Sequence, residues 1–412
     1  MVLGVITLVL VVSTLAGAQQ PKKESLLNGL KVVMFPDTAS DKVVVRIRLH
    51  SGAAFDPQGK EGLMMALAYN LFPTDAAKEY FRDELGGSLA VRANYDYIEI
   101  GASAKADSMI PMLETLGSAI TNTVVDKDTT AKLKTDLLAK VKQLDSDANY
   151  VADNAAAKRL FGTFPYGRPV YGTEDSIKKI DIGDLIDAKQ RFLTADNSTM
   201  TISGNFQPAR AMPAVKRYFG GWVKADKRVP STFRQPQDPP PGLLTVQSPI
   251  AGQFAIRFAL RGTSRSAADM AAADIYARIL EARLKARVPA EDAANVFARS
   301  DAYVLPGWIL IGLYGTRSDA GSGNGKIEAD VLLAKTLADP ITDAEFAAAR
   351  TSAAADWSKR APEEFWLDAD TYSIPAQAGD RIFDGVTAAK TRDFAAWATR
   401  QPIASVLVNS PK

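Results

Sequence analysis

No cysteine occurs in the 412 residues, and there is one histidine, His50. The first absence excludes disulfides, thiol nucleophiles, thiolate metal sites and a lipid-bearing N-terminal cysteine. The second leaves a single imidazole for any general base, triad or histidine–metal site. A surplus of either charge is also missing, since 49 Lys and Arg stand against 47 Asp and Glu for a formal net charge of +2. No long basic run or aromatic-interleaved basic patch is present, so nucleic acid is not an expected partner. Apolar residues reach 47%, enough for the well-filled cores of a soluble globular protein. A chain of 412 residues is too long for one ordinary core, and two domains of roughly 200 residues each are expected.

The N-terminus stands apart. Residues 2–18 carry no charge and end in Ala16-Gly17-Ala18, a small-x-small pattern before Gln19. This predicts a cleaved signal peptide over 1–18 and a secreted or periplasmic protein; the alternative is an uncleaved membrane anchor. His50 closes the run Val43-Val44-Val45-Arg46-Ile47-Arg48-Leu49-His50. Period-2 alternation puts Val43, Val45, Ile47 and Leu49 on one face and Arg46, Arg48 and His50 on the other. His50 is therefore expected as a polar-face strand residue and not as a ligand or base.

Strand-like runs at 30–35 and 43–49 are separated by Pro36-Asp37-Thr38, a hairpin signal. A loop over 51–59 leads to helices over 60–72 and 75–85, the second stopped by Gly86-Gly87. Then come a strand over 88–102, a helix over 108–120, a helical pair at 128–144 and 152–161, a turn at Pro165-Tyr166-Gly167, a helix from 182 and a strand over 198–203. Residues 228–242 hold five prolines and read as an extended surface linker. Beyond it the order repeats. Residues 253–260 echo 43–50, strand arginine included, and a long helix over 264–287 follows. Strands at 294–304 and 308–315, a helix over 329–337 and a last strand at 405–409 complete the copy. The pattern predicts a duplicated α+β chain, with domains at 24–227 and 243–412 and helices on one face of each sheet.

Particular words then narrow the reading. Leu27-Asn28-Gly29-Leu30-Lys31-Val32-Val33, Ser51-Gly52-Ala53-Ala54-Phe55-Asp56 with Glu61-Gly62-Leu63, and Gly86-Gly87-Ser88-Leu89 with Asp96 occur in order. Phe164-Pro165-Tyr166-Gly167, Tyr171-Gly172-Thr173 and Ser203-Gly204-Asn205-Phe206 follow them. Taken together, and with a second half of the same layout, the chain resembles the M16 peptidases (the insulinase, pitrilysin and processing-peptidase kind). The resemblance implies two homologous M16-type domains, each a mostly antiparallel sheet.

Active members of that family carry HxxEH on the helix opened by Glu-Gly. Two histidines at i and i+4 share one helical face and a zinc ion, and the glutamate polarises the bound water. The resemblance puts Met65 and Tyr69 at the histidine positions and Ala68 at the glutamate. A thioether, a phenol and a methyl group do not make this centre. The third ligand is a glutamate on a later helix, near which this chain has Asp145 and Asp147. An Arg and a Tyr from the second kind of domain complete active sites; Arg287 matches the Arg, and Ala294 stands in the place of the Tyr.

A pseudopeptidase is therefore expected, with no cofactor of its own and zinc only in a partner. The implied role is a heterodimer with an M16 subunit whose HxxEH is intact, the two enclosing a peptide. Its edge strand is expected to bind that peptide through Ser88, Ala90, Arg92, Tyr95 and Tyr97. The alternatives are a stand-alone periplasmic peptide-binding or envelope-assembly protein, as a homodimer, and an enzyme with a carboxylate-based metal site. Gly321-Ser322-Gly323-Asn324-Gly325-Lys326 fails the phosphate-loop pattern at Ala320 and Ile327 and reads as a loop. Glu363, Glu364, Asp368 and Asp370 read as solvated acids.

Overall fold

The computed structural model describes residues 21–225, 233–316, 324–375 and 381–409. The expected signal peptide, the linker up to 232 and residues 321–323 of the expected 321–326 loop lie outside them, while residues 324–326 of that loop open a helix instead. No helix among the described residues is long and apolar enough to cross a membrane.

The first half runs β1 (Lys22–Ser25), β2 (Lys31–Pro36), β3 (Lys42–Leu49), α1 (Leu63–Asn70), α2 (Ala76–Asp83), β4 (Ser88–Ala93) and β5 (Ile98–Lys105). It continues through α3 (Met109–Thr121), α4 (Lys127–Leu144), α5 (Ala148–Phe161), α6 (Glu174–Lys179), α7 (Ile182–Phe192), β6 (Ser198–Gly204) and α8 (Pro208–Phe219). The second half has β7 (Leu243–Gln247), β8 (Gln253–Arg261), α9 (Met270–Lys285), β9 (Val296–Asp301) and β10 (Trp308–Thr316). It ends with α10 (Asn324–Ala338), α11 (Asp343–Ser358), α12 (Pro362–Tyr372), α13 (Ala388–Arg400) and β11 (Ala404–Asn409).

The sheets have orders β1-β2-β6-β3-β5-β4 and β7-β11-β8-β10-β9. With β1 set aside the two orders are the same path. In each sheet one pair is parallel, β2 with β6 and β7 with β11, and every other pair is antiparallel. The duplicated α+β architecture is as the repeating pattern predicts. Its first connection is not. The runs at 30–35 and 43–49 do not form a hairpin, because β6 lies between β2 and β3 and pairs with both. The Asp37 N–H leaving β2 already donates to the Gly204 carbonyl of β6 at 2.7 Å. A turn signal marks a change of direction; it does not choose the partner strand.

The strand expected over 88–102 is likewise two strands, β4 and β5, joined by a turn in which the Asn94 side chain accepts from the Asp96 and Tyr97 N–H groups, each at 2.8 Å. The long helix expected from 264 begins only at Met270.

One face of each sheet meets its own helices, as expected. Val43, Val45, Ile47 and Leu49 are fully buried there, in a core shared with α1, α3, α7 and α8. The opposite faces are covered by exchange. Helix α5 of the first half lies on β8 and β11, and α12 of the second half lies on β6 and β2. Small residues permit the α5 contact: Ala148, Ala152 and Ala156 pack with Ala255, Ala259 and Val406 in one core. Residues 236–242 of the linker are tied down by arginines. Arg159 Nη2 donates to the carbonyls of Pro240, Pro241 and Gly242, and Arg261 to that of Gln237.

Candidate functional site

Helix α1 starts where Gly62 turns the chain at φ +95°. The Asp56 carboxylate accepts from the Gly62 and Met64 N–H groups at 2.8 and 2.7 Å, satisfying donors that a helix N-terminus leaves open. Burial raises the Asp56 carboxyl to about 7, against those two hydrogen bonds. A Cβ on Gly62 would sit 2.7 Å from the Tyr171 carbonyl, and one on Gly172 would sit 2.2 Å from the Glu61 carbonyl. Two of the sequence words, 61–63 and 171–173, are thus two sides of one backbone contact that only glycines permit.

Seven of the eight residues of α1 are buried. Met65 is 1% exposed and Ala68 fully enclosed, both within the first core. Tyr69 is half-buried, and burial, then the neighbouring Tyr171, pushes its phenol up to about 12. Leu137 and Val141 of α4 belong to the same core, so α4 offers apolar groups to α1. Asp145 lies a turn further on, exposed, at the rim of a separate cleft of about 490 Å³ that Glu61 and Tyr150 also line. Asp147 caps α5, accepting from the Asn149 N–H. The structure therefore does not bring Met65, Ala68, Tyr69 and Asp145 together as a metal cage. Among the described residues, no group of three or more His, Cys, Asp or Glu could hold a metal ion.

Strand β4 closes its sheet and so is an edge. Beside it a cleft of about 540 Å³ is lined by Tyr69, Phe72, Leu89, Val91 and Leu133, with Lys78 and Lys132 among its charged residues. Ser88, Ala90 and Arg92 point outward, as their alternation with Leu89 and Val91 predicts. Arg92 binds Glu99 across the hairpin at 2.6 Å. Tyr95 and Tyr97 lie elsewhere than the sequence reading has them, because the turn that splits the strand removes them from the edge. The Tyr95 hydroxyl donates to the Arg168 carbonyl at 3.0 Å, and its ring meets Tyr166 and Tyr303 between the halves. Tyr97 lies against the Arg48 guanidinium, 3.9 Å from ring centre to charge.

The junction of the halves was only partly legible. The Asp96 carboxylate accepts from the Tyr166 hydroxyl at 3.0 Å and the Val304 N–H at 3.1 Å, while Tyr166 accepts from the Leu305 N–H at 3.0 Å. Burial lifts the Asp96 carboxyl to about 6, against the hydrogen bonds it accepts. Both residues stand in words that mark the resemblance, yet nothing in those words names the second-half backbone they hold.

The acids read as solvated are not. Asp368 is buried and takes Arg48 at 2.7 Å, Arg360 at 2.6 Å and Arg265 at 3.1 Å. Asp370 pairs with Lys31 and with His50 Nε2 at 2.9 Å, and accepts from Thr199. Glu364 reaches Arg46 at 3.1 Å, and Glu363 accepts from Ser203 at 3.0 Å. Burial acts to raise both aspartates, but their partners outweigh it: Arg265, Arg48 and Arg360 hold Asp368 below the usual carboxylate range, and contacts with His50, Lys31 and Thr199 hold Asp370 well below it. His50 is on the polar face as expected, covered there by α12, with Nδ1 3.0 Å from the Thr371 hydroxyl. A strand face bearing two arginines and a histidine was the available signal, since such a face needs acids to cover it. Arg287, at the position the resemblance gives to the partner-site Arg, binds Asp339 at 2.7 Å and its own helix end through the Arg283 carbonyl at 3.0 Å.

The comparisons with known proteins agree with this architecture. The family model described as the M16 peptidase inactive domain matches residues 179–353. A Pseudomonas fluorescens M16 peptidase inactive domain superposes with a TM-score of 0.80 at 18% identity, covering 95% of this chain and 98% of that one. A Helicobacter pylori protease gives 0.81 at 14% identity, covering 95% and 99%. The periplasmic protease PqqL of Escherichia coli gives 0.72 at 13% identity, over 95% of this chain and 48% of that one. In sequence, the uncharacterized zinc protease YmxG of Bacillus subtilis is 18% identical over 211 residues, half of this chain and 51% of that protein. The chain thus spans about half the length of that curated relative. Fold and duplicated topology coincide with those of the solved M16 structures over nearly the whole chain, and residues 179–353 match the M16 peptidase inactive domain.

Proposed function

We propose that this chain is a non-catalytic M16 subunit that binds an extended peptide and works beside an active zinc-bearing M16 partner. The observation that carries the reading is the contrast between its helix and its edge. At the positions the family gives to HxxEH, Met65 and Ala68 are core residues and Tyr69 is a phenol held protonated at neutral pH. Next to them β4 remains an edge strand bordering the 540 Å³ cleft. Main-chain groups at a free edge take up a peptide as an added strand, and a cleft at its side receives alternate side chains. Chemistry is then left to a partner with an intact motif, which also holds the zinc. The uncharged N-terminal run supports secretion to the periplasm or beyond.

Native co-purification of the tagged mature chain from its own cell envelope, followed by mass spectrometry, tests this. Recovery of an M16 relative bearing HxxEH, with peptidase activity only in the mixture, is the expected result. Recovery of the chain alone, zinc-free and inert, overturns the pairing and leaves a stand-alone peptide-binding protein.

A further inference from the structure

The two exchanged helices each pair an acid with a buried strand arginine, Asp153 with Arg257 at 2.5 Å and Asp368 with Arg48 at 2.7 Å, but they differ in what surrounds that pair. Helix α5 is seated on the second sheet through an apolar core built from alanines, Leu160 and the strand residues beneath them. No side chain of α12 is part of any of the three apolar cores. Leu367 and Tyr372 are buried, but the contacts that tie α12 to the strands of the first sheet are mainly charged: Asp368 with Arg48, Asp370 with Lys31, and Glu364 with Arg46, beside polar contacts of Asp370 with His50 and of Glu363 with Ser203. Even its aromatic Trp366 is met by an ammonium, Lys23, 3.5 Å from the ring centre.

These two attachments differ in what is recovered on opening. An apolar contact that parts exposes its surface to water with no compensation. Ion pairs that part regain their hydration, which offsets most of the attraction lost, so their net hold is small although each partner depends on the other. We propose that α12 is a charge-held strap, which lifts from the sheet of the first half as a unit while α5 stays seated on the second. The halves then part on one side only, baring Arg46, Arg48 and His50 on the outer face of β3. This inference stands apart from the peptide-binding reading, since it concerns the joint between the halves and not β4.

Native-state hydrogen exchange of the full mature chain, read by mass spectrometry, tests it. In the unmodified protein the amides of 362–372 are expected to exchange at least about tenfold faster than those of 148–161. Asp368→Asn is expected to raise exchange in 362–372 by roughly a hundredfold and leave 148–161 unchanged. Equal rates for the two helices in the unmodified chain would overturn the proposal. So would a variant in which both helices, or neither, respond. Should Asp368→Asn fail to fold, the comparison within the unmodified chain still decides.

Discussion

Arg48 on β3 and Asp368 on α12 lie 320 positions apart in sequence and meet at 2.7 Å, both buried. The pair joins the two halves, and it sets the first prediction. Truncating either partner leaves the other charged and desolvated, so Arg48→Ala or Asp368→Ala should each cost about 3–5 kcal/mol in urea unfolding. Arg48→Met with Asp368→Leu should cost well below the sum, because Glu99 keeps Arg46 and Arg92 as partners. Additive losses in the double variant would show that the pair does not act as a unit.

Acidity divides the carboxylates into two groups. Asp96, with a folded value of about 6, binds its proton more tightly folded than unfolded. Its contribution is present below the unfolded value of about 3.9 and is lost as pH rises through 6, roughly 2–3 kcal/mol in all. Asp368 and Asp370 act in the other sense: their contribution is present above the unfolded range and is lost as pH falls through their depressed values. Stability should therefore peak in mild acid, near pH 4–5. Unfolding free energies measured from pH 3 to 8 should fall on the alkaline side of that peak, and Asp96→Asn should remove its share of the fall and leave that of Asp56.

Placing HxxEH at the positions that the M16 resemblance gives it should not create a metal site. In Met65→His, Ala68→Glu, Tyr69→His, an imidazole and a carboxylate enter a core that has no partner for them, while α4 offers Leu137 and Val141. Several kcal/mol of destabilisation is expected, with less than one zinc per chain by elemental analysis. A stable variant binding one zinc would mean that α4 and the core rearrange to supply ligands.

The backbone contact of the two glycines is testable separately. Gly62→Ala and Gly172→Ala each place a Cβ against a carbonyl at positive φ, and each should lower stability by about 1–3 kcal/mol. A melting temperature unchanged in both would refute the contact as a reason for those sequence words.

Much of the fold was open to reading from the residues alone. Alternation at 43–49 identified a buried face, the glycines at 86–87 ended a helix, and the repeated order of elements announced two similar halves. Helix α1 could be seen to lack metal donors because donor chemistry belongs to residue types, not to their arrangement. Partner choice could not be read. The insertion of β6 between β2 and β3, the splitting of 88–102 by a turn at Asn94 and the burial of Asp368 and Asp370 all depend on contacts between distant segments.

The sequence by itself determined the duplicated α+β layout and the absence of thiol, disulfide and multi-histidine chemistry, since periodicity and composition are local properties. Only the tertiary structure decided that each half covers its sheet with a helix of the other, α5 through alanines and an Asp153–Arg257 pair, α12 mainly through ions. The reason is physical: an acidic residue looks the same in sequence whether it faces water or a buried arginine, and only folding brings the arginine to it.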